Sequence, residues 1–170
     1  MNMEIRKTRP EELERVLEIY AHGREIMKRT GNVTQWGYNR PQRSLIVGDI
    51  EKGNSYVVTD GGVIRGVFAF IVGRDPTYDH IEGGAWLNEE PYGTIHRIAS
   101  DETAHGILEA AVGYCGGLIS ELRIDTHRDN VIMRHLVEKL GFVECGVIYV
   151  DDGTPRLAYQ KHTHKTETEA

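Results

Sequence analysis

Residues 94–111 (TIHRIASDETAHGILEAA) and 123–142 (RIDTHRDNVIMRHLVEKLGF) carry the pattern that decides the fold. Together they spell strand, polar turn, helix, strand, Asn-led helix and a closing Gly-Phe. The first run puts a helix start just past an apolar strand. Such an end presents unpaired backbone N–H groups and a partial positive charge, an arrangement that suits a phosphate.

Working outward, Met3–Thr8 alternates apolar and polar residues and reads as a half-buried strand. Thr8 then looks like a helix cap, with Pro10 and Glu11 in the first turn. Leu13, Val16, Leu17 and Tyr20 follow at helical spacing, and the helix is expected to reach Arg29, weakened near Gly23. The segment 31–43 is irregular, and Ser44–Glu51 is expected to be a short helix. Ser55–Thr59 and Val63–Gly73 form a hairpin about Asp60-Gly61-Gly62, with Gly66 a bulge or a point of close approach. Arg74–Gly93 is mostly loop. Strands are then expected at Thr94–Ala99, Leu122–Asp125, Val143–Val150 and Arg156–Lys161, and helices at Ala104–Gly113 and Asn130–Leu140.

This order predicts an α/β (α+β) fold: a mixed central sheet with helices on both faces. At 170 residues the chain is expected to form one domain over residues 1–161, with 162–170 a disordered tail. The net charge of −6 argues against a broad nucleic-acid surface. No apolar run approaches a membrane span, and the charged start lacks a signal-peptide core, so a cytoplasmic protein is expected. Cys115 and Cys145 read as reduced core thiols, and Ile98 and Leu136 are among the apolar residues expected in the core.

The element order and its motifs resemble the GNAT superfamily of N-acetyltransferases, whose sheet is mostly antiparallel. Thr103-Ala104-His105-Gly106-Ile107-Leu108 occupies the place of the family's Gln/Arg-x-x-Gly-x-Gly/Ala loop, and Gly106-Ile107 matches it. Thr103 and Leu108 depart from the pattern. Asn130-x-x-Met133-x-x-Leu136-Val137, running on to Gly141-Phe142, is similar to the family's third block, with Val137 where a Tyr is usual. That Tyr often protonates the departing thiolate; here Tyr149 or Tyr114 would have to replace it, or solvent.

The resemblance implies acetyl-CoA as cosubstrate, no metal, and direct transfer of an acetyl group to a primary amine of a small molecule or peptide. Coenzyme contacts are expected from Ile98, Ala99, Ser100, Thr103, Ala104, His105, Gly106, Ile107, Leu108, Asn130 and Met133. His96, two residues before Ile98 and so on the same face of its strand, is the first candidate base, Glu82 the second, and Tyr149 a candidate acid. Trp36, Tyr38, Trp86, Tyr92 and His127 are candidate walls of the acceptor pocket. A possible homodimer would pair the final strands; neither nucleic acid nor membrane is an expected partner. A second reading is a non-catalytic acyl-CoA-binding or regulatory module. A third is a metal-dependent hydrolase built on Asp125, His127 and Asp129, which alternate on an extended chain.

Overall fold

The computed structural model describes residues 2–163. Its contacts fall into two compact units, residues 1–70 with 96–114 and residues 71–95 with 115–170. The strands are β1 (Met3–Lys7), β2 (Ser55–Asp60), β3 (Val63–Val72), β4 (Gly93–Ser100), β5 (Glu121–Thr126), β6 (Val143–Tyr149) and β7 (Pro155–His162). They make a seven-stranded sheet in the order β1-β2-β3-β4-β5-β7-β6. Pairs β1–β2, β2–β3, β5–β7 and β6–β7 are antiparallel, whereas β4 and β5 run parallel. With helices α1 (Leu13–Arg29), α2 (Arg43–Glu51), α3 (Ile107–Gly116) and α4 (Val131–Lys139), this is the mixed α/β architecture the sequence pattern predicts.

In the first unit, α1 lays Val16, Ile19 and Tyr20 against Ile46, Val57, Ile64, Val67 and Ala99. Burying each of the large members contributes about 1.5–3 kcal/mol. Two local expectations change. The hydroxyl of Thr8 bonds Ser55 Oγ at 2.7 Å and caps nothing. The entry to α1 is instead a 3-10 turn over Pro10–Glu12, where the Arg9 N–H donates to Glu12 Oε1 at 2.8 Å. Nor does α1 weaken at Gly23. That residue is buried, and a Cβ there would stand 3.0 Å from the Trp36 ring, so glycine permits close packing.

Gly66 does both things expected of it. The β2–β3 register shifts beside it, and a Cβ at Gly66 would lie 2.8 Å from Ile107 Cγ2. The start of α3 therefore packs directly on the backbone of β3.

In the second unit, Tyr78, Tyr92, Ile148 and Ala158 form the core, with Ile81, Trp86 and Val150 packed against it. The inward stripe of α4 is Met133, Val137 and Leu140, at i, i+4 and i+7. Val137 is fully buried and Leu136 is 36% exposed, which corrects the expectation that Leu136 is core. Asn130 accepts a hydrogen bond from the Met133 N–H and caps α4; Gly141, at φ +93°, ends it, and Phe142 returns to the core. Strand β7 continues through His162, and the rest of the expected tail, 164–170, lies outside the described residues. Among the described residues no helix is long and apolar enough to cross a membrane.

Candidate active site

The sequence places a helix start after β4, and the structure shows how it is presented. The expected helix from Ala104 begins only at Ile107, because residues 101–106 form a loop. The first helical bond of that end runs from the Ala110 N–H to the Gly106 carbonyl at 2.9 Å. The N–H groups of Ile107, Leu108 and Glu109 precede it, and no described side chain bonds to them. Gly106 sits at φ +80°, a left-handed conformation that favours glycine. A Cβ built on it would meet only Glu109 Oε2, at 3.9 Å, so the approach to this end is uncrowded.

Two carboxylates flank the loop and would repel an anion if left alone. Both are paired. Asp101 Oδ2 accepts from Arg15 Nη2 at 2.8 Å and Arg65 Nη1 at 3.3 Å, while Oδ1 accepts the Thr103 N–H and hydroxyl at 3.0 and 2.6 Å. Burial alone would raise the Asp101 pKa, but the bonds from Thr103, Arg65 and Arg15 hold it below the usual range. Glu102, at φ +66°, faces His22 Nε2 at 3.0 Å and Arg29 Nη2 at 3.1 Å, and these lower its pKa. Thr103 therefore has both donors committed to Asp101, while Ala104 is buried and His105 exposed.

Strand β4 is not regular. Arg97 sits at φ +52°, where a non-glycine residue costs about 1–3 kcal/mol. Its guanidinium grips Asp49 with two bonds, Nε–Oδ2 2.9 Å and Nη2–Oδ1 2.8 Å. Alternation of side chains requires extended backbone. The inference that His96 and Ile98 share a face therefore does not hold across Arg97. Ile98 is half-buried, against the expectation of a core residue, whereas Ala99 is buried. The parallel register of β4 with β5 covers Gly93–Leu122 and Thr94–Arg123.

In the second unit the structure brings together two residues that the sequence singled out separately. A short bridge binds Glu82 to Val147, through N–H to carbonyl bonds of 2.9 and 2.8 Å. Tyr149 is two residues further along β6, within diagonal reach. The neighbouring Glu82 carboxylate holds its phenol above the ordinary pKa. Both side chains are accessible to solvent.

The other candidates lie elsewhere. Trp36 packs edge-on to Tyr20 at 5.8 Å, and Tyr38 is exposed under the Lys28 ammonium. Trp86 donates to the Tyr78 carbonyl at 2.8 Å, and the hydroxyl of buried Tyr92 accepts the Asp75 N–H at 2.8 Å. The Arg123 guanidinium is sandwiched between the Trp86 and Tyr92 rings at 4.0 and 3.9 Å, so both rings serve the core of this unit. Tyr114 tilts against Tyr56 at 5.6 Å. His127 Nδ1 accepts the Asp129 N–H at 3.0 Å, and burial pushes its pKa down. The Asp125 carboxylate takes the Tyr78 hydroxyl at 2.5 Å. Among the described residues no group of three His, Cys, Asp or Glu is placed to hold a metal ion.

No family model matches this chain, and no curated protein matches it. Solved structures do. A GNAT-family acetyltransferase from Streptococcus agalactiae is 32% identical, with 96% of each chain covered and a TM-score of 0.88. The chain belongs to the GNAT family of acetyltransferases. A GNAT-family acetyltransferase from Listeria monocytogenes (19% identical, 94% of each chain covered, TM-score 0.69) and a structure described as histone acetyltransferase HPA2 and related acetyltransferase from Corynebacterium glutamicum (21% identical, 98% and 99% covered, TM-score 0.63) share the fold.

Within this GNAT chain, two features had no readable sequence signal. The Arg97–Asp49 pair joins residues 48 apart, and nothing local to either announces it. Arg15 and Arg65 likewise reach Asp101 from distant elements. The Asp101-x-Thr103 spacing was a usable signal, since an Asp side chain commonly bonds the backbone two residues on.

Proposed function

We propose that this acetyltransferase uses acetyl-CoA and transfers the acetyl group directly to the primary amine of a small molecule or peptide. The observation that carries the reading is the uncapped start of α3 behind Gly106. Backbone N–H groups and the helix dipole attract a pyrophosphate without a particular side chain. The neighbouring acids are already ion-paired with Arg15, Arg65 and Arg29, so the loop tolerates phosphate charge. The hydrogen-bonded Thr103 supplies neither N–H nor hydroxyl, leaving the donors of Gly106 to Glu109.

The chemistry asks for a neutral amine, a polarised thioester and a proton for the leaving thiolate. A backbone N–H between Ile98 and Ser100 is assigned to the thioester carbonyl. His96 takes the proton from the amine, directly or through water. The amine nitrogen bonds the acetyl carbon, the carbon–sulfur bond breaks, and the thiolate leaves. Tyr149, whose phenol Glu82 keeps protonated, is assigned the proton returned to sulfur.

One observation favours a second reading. The position of the family's usual Tyr is Val137, which is wholly buried. Without that acid, a binding module of the same fold is the alternative. Thermal shift with acetyl-CoA, paired with thiol release over a panel of primary amines, separates the two. Stabilisation with turnover supports the enzyme, and stabilisation without turnover on any amine supports the binding module. No stabilisation contradicts both.

A further inference from the structure

We infer that Asp49 is a positioning residue for acetyl transfer: by clamping Arg97 in a left-handed conformation, it fixes the aim of the backbone amides that follow in β4. The inference rests on the function proposed above, in which an amide between Ile98 and Ser100 faces the thioester carbonyl. Arg97 is the non-glycine residue at φ +52° within an otherwise extended strand. An Arg has no intrinsic preference for that region. Something must hold it there, and the structure shows what does.

Asp49 projects from α2, is only 5% exposed, and receives the guanidinium through two bonds of 2.9 and 2.8 Å. A planar fork meeting a carboxylate this way fixes direction as well as distance. The carboxylate has little freedom of its own. Helix α2 is anchored by buried Ile46, and the Asp49 carbonyl accepts the Asn54 N–H at 2.8 Å. Buried Tyr20 lies near enough for both charges to act on its phenol, so the pair stands in a dry setting against α1. On the far side of Arg97, Ala99 is packed into the same cluster, and the Asp101 N–H donates to the Arg65 carbonyl at 3.0 Å. The stretch from Ile98 to Ser100 therefore lies between a clamped residue and an anchored one.

Ordinary salt-bridge stabilisation would give the same geometry, and glycine separates the two ideas. Glycine occupies positive φ without a clamp. If Asp49 acts through the backbone of residue 97, a glycine there makes the clamp unnecessary. If the pair only adds stability, glycine removes a second partner and repairs nothing.

The experiment measures acetyl-CoA-dependent thiol release with the best amine of the panel, for wild type, Asp49→Asn, and Asp49→Asn combined with Arg97→Gly. Asp49→Asn is expected to lower kcat on the order of 100-fold, as misplacement by about 1 Å does, with the KM for acetyl-CoA little changed. The double variant is expected to recover most of that loss while its Tm stays below wild type. Full kcat in Asp49→Asn, or a double variant no faster than the single one, overturns the inference. Should Asp49→Asn fail to fold, Arg97→Lys keeps the charge without the fork and is expected to show the same kcat loss; wild-type kcat would overturn the inference.

If wild type acetylates no amine, the proposed function fails separately. The clamp is then read from backbone amide shifts of Ile98, Ala99 and Ser100. They are expected to move in Asp49→Asn and return in the double variant, and unmoved shifts overturn the clamp.

Discussion

Helices α3 and α4 both follow a strand and a polar turn, yet their N-termini are finished differently. At α4 the Asn130 side chain accepts the Met133 N–H at 3.2 Å, and His127 Nδ1 takes the Asp129 N–H just before it. That end caps one of its free N–H groups from its own sequence. At α3 the equivalent place is Gly106, which has no side chain to offer, and the polar groups upstream bond one another instead. A helix start capped by its own sequence gains about 0.5–2 kcal/mol. One left open forgoes that and keeps its donors for a ligand. The contrast teaches that the Asn at the start of α4 accounts for stability first, while the glycine start of α3 is the place the proposed function gives to the phosphate.

The strongest way to break this contrast is to close the open end. Gly106→Glu is expected to weaken acetyl-CoA binding on the order of 100-fold or more, because like charge against phosphate costs several kcal/mol and each 1.4 kcal/mol is tenfold. Calorimetric titration checks it, with Gly106→Asn as the control that tolerates positive φ and is expected to bind. His96→Ala is expected to lower turnover by about 100-fold or more, as loss of a general base does, without changing acetyl-CoA affinity. Wild-type turnover would remove His96 from the mechanism.

Smaller effects sharpen the comparison. Asn130→Ala, at the capped end, is expected to cost about 1 kcal/mol. That corresponds to a fall in Tm of about 2–4 °C, with acetyl-CoA affinity unchanged. A large loss of affinity would make the two helix starts alike. Asp101 has its pKa lowered in the fold, so its pairing stabilises above the ordinary carboxylate pKa of about 4. That contribution is lost as pH falls through the carboxylate range. The stability difference between wild type and Asp101→Asn, followed by denaturant melts, should be present at pH 7 and vanish in acid. Burial pushes the Cys115 thiol up to about 12, so native protein at pH 8 should resist alkylation there, as mass spectrometry would show.

Much of the fold was legible because periodicity and glycine placement are local signals. The spacing of Leu13, Val16, Leu17 and Tyr20 located α1, and the Gly61-Gly62 turn located the β2–β3 hairpin. Where the reading failed, a contact distant in sequence had decided the outcome. Thr8 looked like a cap because Ser55, its actual partner, is 47 residues away. Leu136 looked like core because the stripe on α4 is set by which residue faces the sheet, and Val137 takes that place. The site divides in the same way. Gly106 was readable from its motif, whereas the left-handed Arg97 and its hold on Asp49 depend on tertiary packing that no local pattern encodes.

In the proposed function the pyrophosphate of acetyl-CoA rests on the backbone amides at the start of α3. A two-dimensional amide NMR titration with acetyl-CoA tests it most directly. Gly106, Ile107, Leu108 and Glu109 are expected to show the largest saturable shifts. Saturable binding that leaves those four amides unmoved, with the shifts gathered instead at Asn130 and Val131, would contradict it.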